Sequence, residues 1–198
     1  MTMNIEIFEK KDQNTTQWSG GTTTELYITP QDRRYADRDF SLRISSATVE
    51  IEKSIFTKLP NYDRFLMVLE NNIKLQHKDK MGEILQPFAV DAFDGADDTI
   101  SWGCCKDFNV MLRKNSGLTV NLQAYVQLPK KIMLAEKEHF FYSVGGTFIL
   151  QTNLEKIKVG RETLMHIRKA VEPITIYSDE ESTTVIHVEI TSPIKDVS

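Results

Sequence analysis

The chain has 198 residues, of which 40% are hydrophobic and 26% are charged, as in ordinary globular proteins. A net charge of -4 gives no electrostatic support for binding nucleic acid or an anionic membrane surface. No apolar run is long enough to span a bilayer, and the first twelve residues contain no secretory hydrophobic segment, so we expect a cytoplasmic protein.

Short strands dominate the elements predicted along the chain. Helical patterns are weak and confined to residues 30–39 and 128–138, because no window keeps apolar residues at i, i+3, i+4 and i+7 for three turns. Runs rich in β-forming residues, separated by turn residues, predict strands near 4–8, 24–28, 40–49, 65–70, 73–77, 88–93, 99–103, 107–113, 118–126, 140–144, 147–151, 163–167, 173–177 and 184–190. The predicted fold is therefore all-β, a sandwich or barrel with few short helices.

The chain also repeats its own pattern at an offset of 75 residues. FLMVLENNIKLQ (65–76) aligns without a gap with FFYSVGGTFILQ (140–151), and two later strands follow at the same offset. This indicates two tandem β-modules, 1–127 and 128–198, which could exchange strands within one compact unit. Each is predicted to be a cupin-like jelly roll, and a β-sandwich of another topology is the alternative that periodicity does not exclude.

Metal ligands and catalytic motifs are not evident. The four histidines are His77, His139, His166 and His187, and none of them pair at i, i+2. Because a transition-metal site needs several converging ligands, we predict no metal and no other cofactor. The adjacent Cys104 and Cys105 are interpreted as small buried side chains on opposite faces of a strand. Neither a nucleotide-binding loop nor a nucleophile elbow is present, so no catalytic residue is assigned.

Polar side chains concentrate in the strands of the first module. Arg43 and Ser45 share one strand face, Arg64 begins the next apolar strand, and Asp107 and Asn109 share a face further on. A buried guanidinium needs a partner, and arginine binds carboxylates through two parallel hydrogen bonds. The pattern therefore predicts a pocket for a small carboxylate ligand.

The segment GTTTE adds Thr22, Thr23 and Glu25 to this set, just where a strand begins. An alternative interpretation is internal pairing, in which Glu25 or Asp107 neutralises Arg43 as a structural salt bridge. The number of hydrogen-bonding groups in one module favours the pocket.

Several segments resemble the HutD/Ves family over roughly residues 15–115. They are GTTTEL, RISSATVEIEKSIFTKLPNYDRFLMVLE, LQPFAVDAFDG and DFNVMLR. The family pattern falls on Trp18, Gly21, Thr23, Glu25, Arg43, Ser45, Phe56, Arg64, Pro87, Phe88, Asp107, Phe108, Asn109 and Met111. Thr57 stands where the family has serine, and Asn61 and Asn71 stand at turn glycines, where asparagine tolerates a positive φ.

The resemblance implies a bicupin, built from two RmlC-like jelly-roll β-barrel modules without a metal. It also implies association with histidine utilisation or with stress responses, and a regulatory rather than an enzymatic role. The ligand expected in the first module is a small acid such as urocanate or N-formylglutamate. The predicted ligand contacts are Trp18, Thr22, Thr23, Glu25, Arg43, Ser45, Phe56, Arg64 and Asn109.

Two other functions remain open. One is a metal-free cupin enzyme, an isomerase or hydrolase of a small acid, with Glu25 or Asp107 as general base. The other is an interaction protein whose second module forms a homodimer and whose pocket is vestigial. A fully paired interior of Arg43 and Glu25 without a cavity would support the last of these.

Overall fold

The computed structural model describes residues 3–78 and 80–192, which form two units. The first unit is Gln13–Ser116, and the second unit combines the described residues 3–12 with 117–192. Regular structure is almost entirely strand, apart from 3-10 turns at Lys10–Asp12 and Tyr35–Asp37. Within this described part, no helix has the length and apolar character needed to cross a membrane.

The strands are numbered in chain order. They are β1 (Asn4–Phe8), β2 (Asn14–Trp18), β3 (Gly21–Thr29), β4 (Leu42–Val49), β5 (Lys53–Ile55), β6 (Tyr62–Glu70), β7 (Ile73–His77), β8 (Glu83–Leu85), β9 (Val90–Asp94), β10 (Thr99–Trp102), β11 (Cys105–Arg113), β12 (Thr119–Tyr125), β13 (Lys130–Met133), β14 (Glu138–Val144), β15 (Phe148–Gln151), β16 (Lys156–Val159), β17 (Leu164–Arg168), β18 (Pro173–Tyr177) and β19 (Thr184–Thr191).

The first unit consists of a six-stranded sheet in the order β2-β3-β4-β11-β6-β9 and a four-stranded sheet in the order β5-β10-β7-β8. Leu66 and Val68 of the larger sheet pack with Ile73 and Leu75 of the smaller one. The two sheets therefore face each other across an apolar core, and neither closes into the predicted barrel.

The second unit has the same plan. Its sheets have the orders β1-β17-β14-β19-β12 and β13-β18-β15-β16. Phe141 and Met165 of the larger sheet pack with Phe148 and Ile176 of the smaller one, and all four are fully buried. Burying such side chains contributes about 1.5–3 kcal/mol each, so this core is the main stabilising feature of the unit.

The unit boundary differs from the one predicted at residues 127 and 128. β12 pairs with β19, from Thr119 opposite Thr191 to Tyr125 opposite Val185, and so belongs to the second unit. β1 also lies there, because it pairs along its length with β17. Backbone pairing thus assigns the beginning of the chain to the unit formed by its later part.

All fourteen predicted strands are present, and the 75-residue repeat corresponds to the successive strands β6 and β7 in the first unit and β14 and β15 in the second, where each pair crosses from the larger sheet to the smaller one. The sequence missed β2, β5, β8, β13 and β16, each of which lies at the edge of its sheet. Edge strands are short and carry polar side chains, so their sequence pattern is weak. The helix prediction at 128–138 was wrong, since it contains β13, and 30–39 holds only the 3-10 turn. Asn71 has φ 64°, while Asn61 is not among the described residues with positive φ.

Candidate functional site

A cavity of about 340 Å³ opens in the first unit. This is the volume expected of a site for a small molecule. Its lining residues are Thr16, Trp18, Thr23, Tyr35, Arg43, Ser45, Ala47, Val49, Ser54, Ile55, Phe56, Thr57, Arg64, Asp107, Asn109 and Met111.

The cavity wall follows from the pairing of three neighbouring strands. β11 lies between β4 and β6, and Met111 is opposite Arg43 on one side and opposite Arg64 on the other. Asn109 is opposite Ser45 on β4. Paired residues on antiparallel strands point to the same face, so alternate residues of all three strands converge on one space.

Arg43 is buried and already has protein partners. Its Nε donates to Glu25 Oε2 at 2.6 Å, and its Nη1 donates to Ser45 Oγ at 3.0 Å. The Tyr35 ring centroid lies 4.4 Å from Cζ of Arg43. The structural salt bridge considered for Arg43 is therefore present, and the cavity exists beside it.

Tyr35 is held in this position by the loop that carries it. The Phe40 N–H donates to the hydroxyl of Tyr62 at 3.2 Å, and that hydroxyl lies 3.0 Å from the carbonyl oxygen of Arg38. The rings of Phe40 and Tyr62 stack at 4.3 Å. These contacts fix both the end of the loop and the wall that Tyr35 forms over Arg43.

Arg64 differs from Arg43 because Nε of its buried guanidinium meets no acceptor in the part of the chain that the structure describes. Its exposure is 6%, and its Nε has no hydrogen-bond partner among the described residues. Its Cζ lies 4.8 Å from the ring centroid of Phe56 and 5.2 Å from that of Phe93. Burial lowers the pKa of Arg64 to about 10, so the side chain remains a cation at neutral pH.

Asp107 and Asn109 complete the polar wall, and each is 6% exposed. Burial raises the pKa of Asp107 to about 7, against the opposing effects of Arg64 and of a hydrogen bond from the backbone of Ala47. Oδ1 of Asn109 is buried and has no donor among the described residues. The wall thus offers a cation, an unpaired acceptor and a carboxyl that titrates near neutrality.

Seven of the nine predicted contact residues line the cavity, namely Trp18, Thr23, Arg43, Ser45, Phe56, Arg64 and Asn109. Thr22 does not line the cavity. It precedes Thr23 directly on β3, and successive side chains of a strand point to opposite faces. Glu25 is absent from the wall because its carboxylate is bound to Arg43.

Several lining residues were not predicted. Ala47 and Val49 could have been found, because they share the strand face of Arg43. The sequence pattern did not identify Tyr35 as a cavity residue, since Tyr35 lies in a segment whose pattern suggested a helix. Ser54 and Ile55 belong to an edge strand that the sequence missed.

Residues 3–78 and 80–192 contain no group of three or more His, Cys, Asp or Glu side chains that could together hold a metal ion. His77 instead bonds Thr99 Oγ1 at 2.9 Å and Asp91 Oδ2 at 2.8 Å. Of the two cysteines, Cys105 is buried but Cys104 is exposed, which corrects the interpretation of both as buried.

The second unit has a polar cluster at the position that corresponds to the cavity. At the 75-residue offset Arg64 corresponds to His139. On the neighbouring strand, backbone pairing gives an offset of 78 (189−111) instead of 75, because Glu189 pairs with His139 as Met111 pairs with Arg64. Two residues earlier, His187 corresponds to Asn109 and is paired with Gln123.

The side chains of this cluster bond to one another. His139 Nε2 lies 3.1 Å from the carbonyl oxygen of Ala135, which can only accept, so the neutral ring carries its proton on Nε2. Its Nδ1 then accepts from His187 Nε2 at 3.0 Å, and His187 Nδ1 accepts from the hydroxyl of Tyr125 at 2.9 Å. Gln123 Nε2 donates to that hydroxyl at 3.0 Å.

This arrangement requires both imidazoles to be neutral. The pKa of His187 is lowered to about 3, mainly by burial. Positive charge on Lys137, or on His139 when that ring is protonated, acts in the same direction. Burial also lowers the pKa of His139. We refer to Gln123, Tyr125, His187 and His139 as the closed network.

Comparison with known proteins identifies the family and the fold. The HutD family profile matches residues 10–184. A conserved protein of unknown function from Pseudomonas aeruginosa PAO1 is 18% identical with a TM-score of 0.83, over 96% of this chain and 100% of that chain. HutD from Pseudomonas fluorescens SBW25, solved in a formate condition, is 19% identical with a TM-score of 0.74, over 95% and 98%.

A bacterial pirin from Escherichia coli, solved in complex with nickel(II), is 10% identical with a TM-score of 0.66, over 94% of this chain and 98% of that chain. No curated protein sequence matches. Likeness at these identities establishes the cupin fold for this chain. Because the family profile spans most of the sequence, the chain belongs to the HutD family, and its role is related to histidine utilisation.

Proposed function

We propose that this protein binds a small carboxylate in the cavity of its first unit, without a metal, and that the bound ligand regulates histidine utilisation or a related stress or metabolic response. Urocanate and N-formylglutamate are the candidate ligands, because both carry a carboxylate that a buried arginine can hold. The fraction of the protein that has ligand bound then depends on the ligand concentration in the cell.

The observation that carries the proposal is the state of Arg64. A guanidinium that is 6% exposed and lacks a partner for Nε within the described residues is costly to bury. A carboxylate in the cavity would satisfy that donor and balance the charge. The rings of Phe56 and Phe93 hold the guanidinium in place, so little side-chain entropy is lost when the ligand binds.

The remaining wall suits the rest of a small acid. Oδ1 of Asn109 requires a donor, which the amide N–H of N-formylglutamate or the imidazole N–H of urocanate supplies. Phe56 and Trp18 provide apolar surface, and the hydroxyls of Thr23 and Ser45 provide adaptable hydrogen bonds. Arg43 keeps its bond to Glu25 and adds positive potential at the edge of the site.

Isothermal titration calorimetry with urocanate and N-formylglutamate at pH 6.5 tests the proposal. Arg64→Ala should weaken binding more than tenfold, because a hydrogen bond to a charged group contributes about 1.5–3 kcal/mol. Arg34→Ala is the matched control, since the side chain of Arg34 is 81% exposed and pairs only with Asp37 among the described residues. Equal titrations for the wild type and Arg64→Ala would contradict the assignment.

A second candidate function is catalysis on the same acid, and the position of Asp107 favours it. A buried carboxyl with a pKa of about 7 is suited to general acid–base chemistry, whereas Glu25 is occupied by Arg43. Isomerisation or hydrolysis of the bound acid, followed by NMR and lost in Asp107→Asn, would identify an enzyme. Binding without turnover favours the regulatory role.

A further inference from the structure

We propose that an acid enters the cavity together with one proton, which Asp107 takes up, so that this carboxyl sets the pH range in which the ligand is held. This inference rests on the proposed function, because it concerns the regulation of the same site.

The geometry places Asp107 where it must compete with the ligand. It lies in the cavity wall on β11, opposite Ala47 of β4 and Val68 of β6, and the same wall includes Arg43 of β4 and Arg64 of β6. Asp107 takes part in no ion pair within residues 3–78 and 80–192, and the basic side chain whose charge acts on its carboxyl is Arg64. The other titratable groups of the region are Glu25 on β3, Tyr35 in the loop and Cys105 on the same strand.

Counting charges gives the direction of the coupling. Arg43 is neutralised by Glu25 at 2.6 Å, which leaves Arg64 as the cation of the cavity. If Asp107 is ionised it balances Arg64, and an added carboxylate leaves a buried negative charge in excess. If Asp107 is protonated, the ligand carboxylate balances Arg64 instead. Because uncompensated buried charge is costly, ligand binding and ionisation of Asp107 exclude each other.

The protonation equilibrium of Asp107 supports the same conclusion. Burial raises the pKa of Asp107 to about 7 in the free protein, and a neighbouring carboxylate raises it further. Below pH 7 the carboxyl is already protonated, so affinity is independent of pH. Above pH 7 binding takes up a proton, and affinity falls as pH rises until the pKa of the complex is reached.

Calorimetry with N-formylglutamate provides the test, because both of its carboxyls stay ionised from pH 6 to pH 9. Tris and triethanolamine are suitable buffers, since neither carries an anionic group. The dependence of the binding heat on buffer ionisation at pH 8 should reveal uptake of more than half a proton per ligand. The Kd at pH 8.5 should exceed that at pH 6 by about ten- to thirtyfold, as expected for one linked proton that titrates near pH 7 in the free protein.

Asp107→Asn should remove this pH dependence, since the amide cannot ionise. Asp32→Asn should keep it, because the side chain of Asp32 is 78% exposed and lies outside the cavity lining. Wild-type binding with no proton uptake and a constant Kd from pH 6 to pH 9 overturns the coupling and leaves the proposed function intact. No binding at pH 6 overturns the proposed function, and the coupling with it. If Asp107→Asn fails to fold, the wild-type proton count decides alone.

Discussion

Corresponding positions of the two units use buried polar groups in opposite ways. In the second unit, the closed network joins His139, His187 and Tyr125 through bonds of 2.9–3.0 Å. In the first unit, Nε of Arg64 and Oδ1 of Asn109 are buried without partners among the described residues, beside a cavity of about 340 Å³. Polar groups that satisfy one another stabilise a fold, whereas groups left unsatisfied cost stability and remain available to a ligand.

Satisfied and unsatisfied polar groups distinguish two kinds of core whose sequence patterns are similar. Both units place charged or titratable side chains on strands that face an apolar interior. Only the pairing of their atoms distinguishes a structural network from a binding site. Unsatisfied groups of this kind are expected at functional sites, where stability is given up for recognition.

Replacing His187 gives the largest expected effect. His187→Ala removes a ring that is 3% exposed and leaves Nδ1 of His139 and the hydroxyl of Tyr125 without their partner, which should lower the free energy of unfolding by about 3 kcal/mol. Asn109→Ala, at the corresponding position of the first unit, should cost less than about 1 kcal/mol, because no satisfied bond to Oδ1 is lost.

Urea denaturation can report the two units separately. Trp18 and Trp102 both lie in the first unit, so their fluorescence follows that unit, while far-UV circular dichroism follows both. Equal decreases in the free energy of unfolding for His187→Ala and Asn109→Ala would contradict the distinction between a satisfied and an unsatisfied polar position.

Asp107→Asn should change the free energy of unfolding in the opposite direction, and only above about pH 4. The folded pKa of about 7 lies above the unfolded value, so the wild type loses stability as pH rises from about 4 to 7 and remains at this lower level above pH 7. The variant should therefore unfold at a higher urea concentration than the wild type at pH 8, with no gain at pH 4. Denaturation followed by tryptophan fluorescence at both pH values measures this, and a gain independent of pH would argue against a titrating Asp107.

Acidification of the closed network gives the smallest effect. The pKa values of His139 and His187 are lowered on folding, so the unfolded chain binds more protons below pH 6.5 and stability falls as pH drops. Between pH 7 and pH 6 the loss should be about 1 kcal/mol. NMR of the imidazole nitrogens should show both rings neutral and protonated at Nε2 at pH 7, with His187 still neutral at pH 5. Titration of either ring near pH 6.5 would contradict the closed network.

Much of this architecture was predictable because it depends on side-chain period. Alternation along β4 and β11 predicted the faces that carry Arg43, Ser45 and Asn109, and the structure places these three residues in the cavity wall. Apolar runs also predicted the central strands, since burial on both sides demands them. Family resemblance added Trp18 and Phe56, which no periodicity indicates.

The remainder depends on three-dimensional pairing. Sequence cannot show that Glu25 reaches Arg43 at 2.6 Å while Asp107 lies in no ion pair of the described residues, because the choice depends on atomic positions across strands. Tyr35 reaches the site only through a loop held by Tyr62. The bond between His139 and His187 joins residues 48 apart and could not be read from the spacing of the histidines.

Gly21 shows how closely β3 and β4 approach at the edge of the site. It has φ 142°, and a Cβ there would meet the carbonyl oxygen of Thr48 at 1.9 Å. Only glycine fits, and this fixes the beginning of the strand that carries Thr23 and Glu25.

The pairing of β1 also determines the order in which the protein can be completed during synthesis. Residues 13–116 contain every strand of their own two sheets, so the first unit can form as soon as that stretch has left the ribosome. β1 precedes the other described strands, yet Asn4 pairs with Arg168, and the sheet edge that β1 occupies does not exist until β17 has been translated. β1 therefore cannot form its pairing with β17 until the residues up to Arg168 have been synthesised.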